Sequence, residues 1–256
     1  MLRMRCDFHS DALKLATSMT VLLPQRPSAS QIGMASGFRP SGTPVLYLLH
    51  GLSDDDTIWG RRTSIERYVS ELGLAVVMPQ VHRSFYSDVV SGDGAYWSFI
   101  ADELPQLVAD SFQVSTRRED TFVAGLSMGG YGAFKLALHR PDRFAAAGSL
   151  SGVLDVAAMV TEDRRPEVTR TVWGDDGPEG TDDDLLHVLD RVDPTALPRL
   201  WTTCGTDDPL VANQRRFVEA AARRGIEVTA DEHPGRHSWD FWDTHVQRFL
   251  EWLELG

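Results

Sequence analysis

Short apolar runs alternate along the chain with longer segments of helical periodicity. Two of the runs, Val45–Leu49 and 74–78, are apolar throughout, as expected for strands buried on both faces of a sheet. Four further runs of similar length are strand candidates: Thr121–Leu126, 145–150, 200–204 and 227–232. The helical stretches between them are 63–72, 96–112, 130–139 and 213–224. This alternation predicts an α/β fold with a mainly parallel sheet and helices on both faces.

Three segments depart from this alternation. Residues 12–23 partly alternate between apolar and polar positions, which is typical of an edge or antiparallel strand. Residues 24–44 are rich in Pro, Gly and Ser, so we expect a loop around at most a short strand. Residues 155–193 are acidic and have few long apolar runs. We expect them to be an insertion in a single domain spanning 1–256, either a cap over the sheet's carboxyl edge or a solvated excursion.

Composition narrows the classes of partner. The 256 residues are 42% apolar and carry a formal net charge of −12, so a sizeable core is expected and contact with nucleic acid or anionic lipid is disfavoured. The two cysteines, Cys6 and Cys204, provide no disulfide framework, which favours a reducing compartment. We find neither a signal peptide nor an apolar run of membrane-spanning length, and therefore expect a cytoplasmic protein. The sequence leaves open whether it forms a homo-oligomer.

The residues around Ser127 combine a strand, a tight turn and a helix. The turn reads Gly-Leu-Ser-Met-Gly, and its glycines, Gly125 and Gly129, provide positions without a Cβ where a sharp turn crowds its neighbours. A serine on such a turn projects its hydroxyl above the sheet. The start of the following helix directs backbone N–H groups at the same place, so the amide of Met128 is a candidate oxyanion donor. This context predicts Ser127 as the nucleophile of an α/β-hydrolase fold.

A second oxyanion donor is expected in the loop after the strand Val45–Leu49. That strand runs into His-Gly-Leu, and we predict the backbone N–H of Leu52 as the donor. His50 then shapes the loop and does not act as a base. The three aspartates that follow, at 54–56, are expected to form a solvated loop, because they supply too few converging oxygen ligands for a metal site.

The acid of a catalytic triad should follow the nucleophile in the chain, at the carboxyl end of a later strand. The strand 200–204 leads into Gly205-Thr-Asp-Asp-Pro, which offers Asp207 and Asp208. We predict Asp208, because it lies beyond the tight turn at Gly205. Asp207 remains the alternative, and either carboxylate could instead cap the next helix.

The base should lie between the last strand and the last helix. Three histidines occur in this part of the chain: His233 at the strand end, His237 in the loop after Pro-Gly, and His245 inside an amphipathic helix. Position and chain order favour His237. Its Nε2 would take the Ser127 proton, and Asp208 would hold its Nδ1–H.

Together these residues resemble the esterase D/putative esterase family of α/β-hydrolases, which includes S-formylglutathione hydrolases, tributyrin-type esterases and mycolyltransferases. The resemblance covers the chain from about residue 46 to the C-terminus and is closest to the small bacterial tributyrin esterase branch. It rests on LLHGLSDDDTIW, RTSIERYV, VVMPQVHRSFYSD, ELP, TFVAGLSMGGYGAFKLAL, SLSG, CGTDDPL and GRHSWDFWD.

The resemblance implies hydrolysis of short acyl esters through an acyl-enzyme, without a cofactor. It implies Ser127, His237 and Asp208 as triad, with Leu52 and Met128 as oxyanion donors. Pro209 stands where the related branch tends to have an aromatic residue, which would alter the pocket wall. Residues 155–193 match the family poorly, so acyl and alcohol specificity does not transfer.

Four aromatic residues near the predicted loops are candidates for lining a substrate pocket, or alternatively for anchoring the core: Trp59, Tyr86, Trp97 and Trp239. Three functions remain in competition. The first is a carboxylesterase for short acyl (acetyl-type) esters, including acetylated sugars. The second is a thioesterase such as an S-formylglutathione hydrolase. The third is a catalytically inactive hydrolase fold that serves as a binding protein.

Overall fold

A computed structural model describes residues 1–26, 37, 39, 42–92, 94–162 and 165–255. Most of the loop predicted at 24–44 lies outside these residues. In the described part of the chain, none of the helices is both long enough and apolar enough to span a bilayer.

Ten strands are formed by the described residues. They are β1 (Leu2–Ser10), β2 (Leu15–Leu23), β3 (Val45–Leu49), β4 (Ala75–Pro79), β5 (Asp88–Val89), β6 (Gly94–Ala95), β7 (Thr121–Leu126), β8 (Ala146–Leu150), β9 (Arg199–Gly205) and β10 (Val228–His233). Eight of them form one sheet in the order β1-β2-β4-β3-β7-β8-β9-β10, while β5 and β6 pair as a small hairpin. The pairs β1–β2 and β2–β4 are antiparallel, and the other neighbours in the large sheet are parallel. The predicted mainly parallel sheet is confirmed.

The same described residues form ten α-helices. They are α1 (Ile58–Arg62), α2 (Ile65–Ser70), α3 (Tyr96–Ser98), α4 (Leu104–Ser111), α5 (Met128–His139), α6 (Val156–Thr161), α7 (Pro166–Trp173), α8 (Leu185–Leu189), α9 (Val211–Arg223) and α10 (Trp239–Trp252). A π-helical stretch, Phe99–Glu103, joins α3 to α4, and a short 3-10 turn, Arg118–Asp120, precedes β7.

The central strands are buried on both faces. Along β3, Tyr47 and Leu49 face one apolar layer, which includes residues of α5 and α9, and Leu48 faces the other, which includes residues of α2 and α10. Side chains of a strand point alternately to its two sides, so a strand between two helix layers must be apolar at every position. This explains why VLYLL was readable from the sequence.

The amino-terminal strand was not predicted. β1 is the edge of the sheet, and its side chains alternate between exposed and half-buried. Its sequence, LRMRCDFHS, mixes charged and apolar residues because only one partner, β2, covers it. Residues 12–23 do contain an antiparallel strand, but it begins at Leu15 and lies inside the edge.

The helix predicted over 96–112 is divided into three parts. Pro105 stands at the start of α4 and has no N–H for a bond to the preceding turn, which accounts for the π-helical stretch before it. Glu103, at the end of that stretch, accepts hydrogen bonds from the hydroxyl of Ser10 (2.7 Å) and the backbone N–H groups of Asp11 (2.8 Å) and Ala12 (3.0 Å). The irregular helix therefore holds the turn between β1 and β2.

The acidic segment after β8 contains α6, α7 and α8 and contributes buried apolar residues, among them Met159, Val172 and Leu189. Its acidic part is tied to α5. The buried ammonium of Lys135 forms an ion pair with Asp183, and the Tyr131 hydroxyl donates to the Asp183 carbonyl oxygen (2.8 Å). Burial lowers the pKa of Lys135, and the charge of Asp183 opposes that effect.

Candidate active site

Ser127 lies on a strained turn between β7 and α5. Its backbone has φ 53° and ψ −116°, a conformation that L-residues rarely adopt. The turn is held by the Ser127 N–H, which donates to the Leu150 carbonyl oxygen (2.9 Å), and by the Tyr131 N–H, which donates to the Ser127 carbonyl oxygen (3.1 Å). A Cβ at Gly129 would collide with the carbonyl oxygens of Leu49 and His50. Gly129 is therefore required because backbone atoms of the neighbouring loop leave no room for a Cβ.

The structure brings together the three residues predicted as a triad. His237 Nε2 lies 3.0 Å from Ser127 Oγ, and His237 Nδ1 lies 2.9 Å from Asp208 Oδ2. Each follows the carboxyl end of a parallel strand: Ser127 follows β7, Asp208 follows β9 and His237 follows β10. In this arrangement the carboxylate can orient the imidazole, and the imidazole can accept the serine proton.

Close approach of two loops brings Asp208 to His237. A Cβ at Gly205 would collide with the carbonyl group of Gly235, so only a glycine permits this contact. The Asp207 N–H donates to the same Gly235 carbonyl oxygen (3.0 Å), and the exposed Asp207 side chain does not take part in the contact with His237. The geometry thus favours Asp208 over Asp207.

The Asp208 carboxylate is buried but well supplied with donors. Oδ1 accepts from the Leu210 N–H (2.8 Å) and Oδ2 accepts from His237. Burial raises the pKa of Asp208, but the hydrogen bond and charge of His237 and the Leu210 N–H outweigh this, so the pKa lies below its ordinary value. The carboxylate is therefore ionised at neutral pH, as an orienting group must be.

The other two histidines of this region lie away from Ser127. His233 is contacted by the guanidinium of Arg248, at 2.6 Å from Nε2. His245 is buried in α10, where its Nδ1 donates to the Phe241 carbonyl oxygen (2.7 Å), and burial lowers its pKa.

The loop after β3 is fixed by buried polar contacts. His50 Nδ1 donates to the Gly51 carbonyl oxygen (2.7 Å), and His50 Nε2 accepts from the Val81 N–H (3.1 Å). Burial lowers the pKa of His50, which keeps it neutral. The geometry agrees with a loop-shaping role. Leu52, in this loop, and Met128, at the start of α5, both line the cleft at Ser127, where their amides could serve as oxyanion donors.

The three aspartates of this loop are not simply solvated, contrary to the expectation. Asp56 is buried and accepts hydrogen bonds from the hydroxyls of Ser18 (2.9 Å) and Thr20 (2.9 Å) on β2. Asp55 accepts from the Thr57 N–H (2.9 Å), and half-buried Asp54 lines the cleft. Burial raises the pKa of Asp54. Asp56 thus fastens the loop to the sheet, a tertiary contact that the run of three acidic residues does not reveal.

Ser127 opens into a cleft of about 550 Å³. Its apolar wall comes from four regions of the chain and includes Phe85, Val153, Met159, Leu210, Trp239 and Trp242. Pro209, the departure from the family pattern, also lines it, as does Arg165 at the start of α7. A second cavity of about 480 Å³ shares the loop residues 52–54. A slightly larger cavity, of about 570 Å³, lies beside α2 and contains none of the three clustered residues.

One of the four aromatic pocket candidates lines the cleft, and three do not. Trp239 is part of the wall. Trp59 is buried behind Trp239, and the centroids of the two rings are 5.3 Å apart. Its Nε1–H donates to the Leu49 carbonyl oxygen (3.1 Å). Tyr86 is fully buried against Gly132 and donates to the His50 carbonyl oxygen (2.9 Å). Trp97 packs beneath the ammonium of Lys135. Trp59, Tyr86 and Trp97 are therefore corrected from pocket residues to anchors of the surrounding structure.

Sequence reasoning missed most of the apolar wall. Val153 and Met159 come from the segment after β8, where no motif marks a contact with the cleft. Trp242 was contained in the quoted string GRHSWDFWD, and its spacing of three residues from Trp239 on α10 could have identified it. Among the described residues, no group of three or more His, Cys, Asp or Glu side chains is arranged to hold a metal ion.

Comparison with known proteins identifies the family. Residues 30–253 match the Esterase family, described as putative esterase. An acetyl esterase of Caldicellulosiruptor saccharolyticus is 29% identical over 261 residues, covering 98% of this chain and 97% of its own.

Two solved structures from Staphylococcus aureus cover the whole chain. The fluorophosphonate-binding serine hydrolase FphF is 32% identical, with a TM-score of 0.88 and 98% of its own chain covered. The S-formylglutathione hydrolase FrmB is 31% identical, with a TM-score of 0.84 and 99% of its own chain covered. The family predicted from the motifs is confirmed: this chain belongs to the putative esterase family, and it is a serine hydrolase of carboxylic esters with the α/β-hydrolase fold.

Proposed function

We propose that the protein hydrolyses short-chain acyl esters, of acetyl type, through a Ser127–His237–Asp208 triad and an acyl-enzyme. The observation that carries the proposal is the continuous chain of contacts from Ser127 Oγ through His237 to Asp208, at 3.0 Å and 2.9 Å. The acetyl esterase relative supports the acyl class.

The first half of the reaction forms the acyl-enzyme. Ser127 Oγ attacks the ester carbonyl carbon while its proton passes to His237 Nε2. The amides of Leu52 and Met128 donate to the oxyanion of the tetrahedral intermediate. The bond to the alcohol oxygen then breaks, and His237 returns the proton to the leaving alcohol.

The second half reverses these roles with water. His237 takes a proton from the water that attacks the acyl carbon, and Ser127 leaves with that proton, which releases the carboxylic acid. The buried, ionised Asp208 stabilises the imidazolium in both halves.

The lining of the cleft is consistent with an acyl group. Its wall is largely apolar, and residues of the acidic segment, Met159 and Arg165, contribute to it. We therefore propose that the segment 155–193 acts as a cap that borders the substrate, within a single domain spanning 1–256. The cytoplasmic location and the absence of nucleic acid and membrane partners remain predictions from composition.

The central test is Ser127→Ala. We expect this variant to fold like wild type and to lose at least about a thousandfold in kcat/KM for 4-nitrophenyl acetate, because the nucleophile is gone. A fluorophosphonate probe should label wild type and the exposed-serine control Ser91→Ala, but not Ser127→Ala. Retention of most activity in Ser127→Ala would refute the mechanism. Failure of wild type to be labelled would instead support an inactive binding protein.

A thioesterase is the second candidate, and the likeness to an S-formylglutathione hydrolase over the whole chain favours it. The same activated serine attacks oxygen esters and thioesters. Comparison of kcat/KM for 4-nitrophenyl acetate and S-formylglutathione separates the two functions. Strong preference for the thioester would replace the first proposal with the second.

A further inference from the structure

Ser151 occupies a constrained position that the proposed reaction does not use. It follows β8 directly, is completely buried, and has φ 48°, in the left-handed region. Its N–H donates to the Thr203 carbonyl oxygen on β9 (2.8 Å), which places it next to the strand that leads to Asp208. A buried non-glycine residue with this backbone is costly, so its side chain calls for an explanation.

Trp242 on α10 contacts this serine and the imidazole together. Its Nε1–H donates to Ser151 Oγ (3.1 Å), and its ring meets the ring of His237 edge-on, with centroids 4.8 Å apart and planes at 89°. One rigid side chain therefore borders the predicted base and is anchored on the serine.

The hydroxyl of Ser151 has two polar neighbours besides Trp242: the carboxylate of Asp208 and the thiol of Cys204. Because Ser151 Oγ already accepts from Trp242, its own proton is available for donation. Burial and the nearby charge of Asp208 raise the pKa of Cys204 to about 12, so the thiol is protonated and a poor acceptor. The ionised carboxylate is the stronger acceptor, and interaction with Ser151 contributes to its lowered pKa.

We propose that Ser151 and Trp242 are positioning residues for the His237–Asp208 pair, linked as Trp242 N–H to Ser151 O–H to the Asp208 carboxylate. This inference rests on the proposed triad. The Ser151 hydroxyl helps to hold the acid, while the indole, packed at about a right angle to the imidazole, restricts its rotation. Neither residue exchanges a proton with substrate.

The first experiment removes the hydroxyl. Ser151→Ala and Ser151→Gly should each lower kcat for 4-nitrophenyl acetate about tenfold with KM little changed, because a charge-assisted contact that orients the triad is lost. The glycine variant also relieves the positive φ, so a loss of activity shared by both variants does not come from backbone strain.

A matched control lies two residues away on β8. Ser149 is also buried, and among the described residues its hydroxyl has no hydrogen-bond partner. Ser149→Ala should therefore retain the activity of wild type. Equal losses in Ser149→Ala and Ser151→Ala would mean that any cavity at this strand impairs the enzyme, and would overturn the proposal.

The titration of Asp208 separates positioning from packing. Without the Ser151 hydroxyl the Asp208 carboxyl loses a group that lowers its pKa. The pKa of Asp208, followed by the NMR shift of its labelled side-chain carboxyl carbon, should therefore be higher in Ser151→Ala than in wild type. A purely structural role would lower the melting temperature and leave this pKa unchanged.

The link between the two residues is tested by Trp242→Phe, which retains a ring beside His237 but lacks the N–H. In the double variant with Ser151→Ala, the two losses in kcat should be less than additive, because both substitutions break the same series of hydrogen bonds. Wild-type kcat in Ser151→Ala, Ser151→Gly and Trp242→Phe, with an unshifted Asp208 pKa in Ser151→Ala, would overturn the inference. Absence of labelling at Ser127 in wild type would overturn the proposed function, and is measured first.

Discussion

At the scale of single residues, close contacts with backbone atoms determine which positions around Ser127 must be glycine. Ser127 can adopt its strained turn only because residues on either side present no Cβ to the neighbouring strand and loop. A glycine that provides close approach differs from one that provides only a left-handed φ. We therefore expect replacement by alanine to have different effects on stability at the two kinds of glycine.

Gly129→Ala should lower the free energy of unfolding by about 3 kcal/mol or more, since its methyl group would overlap two carbonyl oxygens of the loop after β3. The matched control is Gly225→Ala. Gly225 has φ 70° and nothing within 4 Å of an added Cβ, so only the backbone cost of about 1 kcal/mol remains. Chemical denaturation of both variants measures the difference. Equal losses would contradict the steric explanation.

The sequence predicted the residues near Ser127 whose place in the chain order is constrained. It did not predict which side chains line the cleft and which are buried behind it. Ser127, Asp208 and His237 follow the ends of β7, β9 and β10, in an order that a motif can express. Asp208 was predicted with Asp207 as the alternative, and spacing alone could not exclude Asp207 because the difference between them arises from a backbone contact at Gly205. Trp59 was misplaced, since a tryptophan looks the same in sequence whether it faces a cleft or the core behind it.

At the scale of elements, the turn of the amino-terminal hairpin is held by the carboxylate of Glu103. Glu103 accepts one hydroxyl and two backbone donors from the turn between β1 and β2, across more than 90 residues of sequence. No local pattern could have revealed this contact. The edge strand β1 escaped prediction because its exposed and half-buried positions mix charged and apolar residues, whereas β3 is buried at every position. The π-helical stretch before Pro105 positions Glu103 for it.

Glu103→Ala should lower the free energy of unfolding by about 2 kcal/mol, because the buried Ser10 hydroxyl and two backbone N–H groups lose a charged acceptor. Asp102→Ala provides the control one residue away. Asp102 forms exposed ion pairs with Arg140 (3.2 Å) and Arg143 (3.6 Å), which contribute about 0.5 kcal/mol or less. Urea unfolding should rank the variants in this order, and kcat should be unaffected in both. A larger loss for Asp102→Ala would show that Glu103 is not the anchor.

At the scale of the whole molecule, contacts that lower the pKa of selected carboxyl groups contribute to the stability of this acidic protein. Asp120 illustrates this away from the cleft. Burial raises its pKa, but hydrogen bonds from Ser115 (2.6 Å) and the guanidinium of Arg117 (2.6 Å and 2.9 Å) outweigh burial, and its pKa is below the ordinary value of 3.8. A carboxyl whose pKa is lower in the folded state stabilises that state above the ordinary value and loses this effect as the pH falls through its folded pKa.

The expected outcome is a pH-dependent difference between wild type and Asp120→Asn. Wild type should have the higher free energy of unfolding at about pH 7, and the gap should narrow as the pH falls below about 4 and through the folded-state pKa of Asp120, below which both proteins carry a neutral side chain. Guanidinium chloride titrations at several pH values measure it. A gap that is independent of pH would mean that packing, and not ionisation, accounts for the effect of the substitution.

The spread of the triad over three strand ends has a consequence for folding kinetics. Asp208 and His237 are 29 residues apart, but Ser127 and His237 are 110 residues apart and meet only when β7, β8, β9 and β10 have all paired. Such long-range contacts form late, after loop-closure entropy has been overcome. The return of hydrolytic activity during refolding therefore reports when this half of the sheet is complete. It should lag behind the recovery of helical circular dichroism, which local segments restore first.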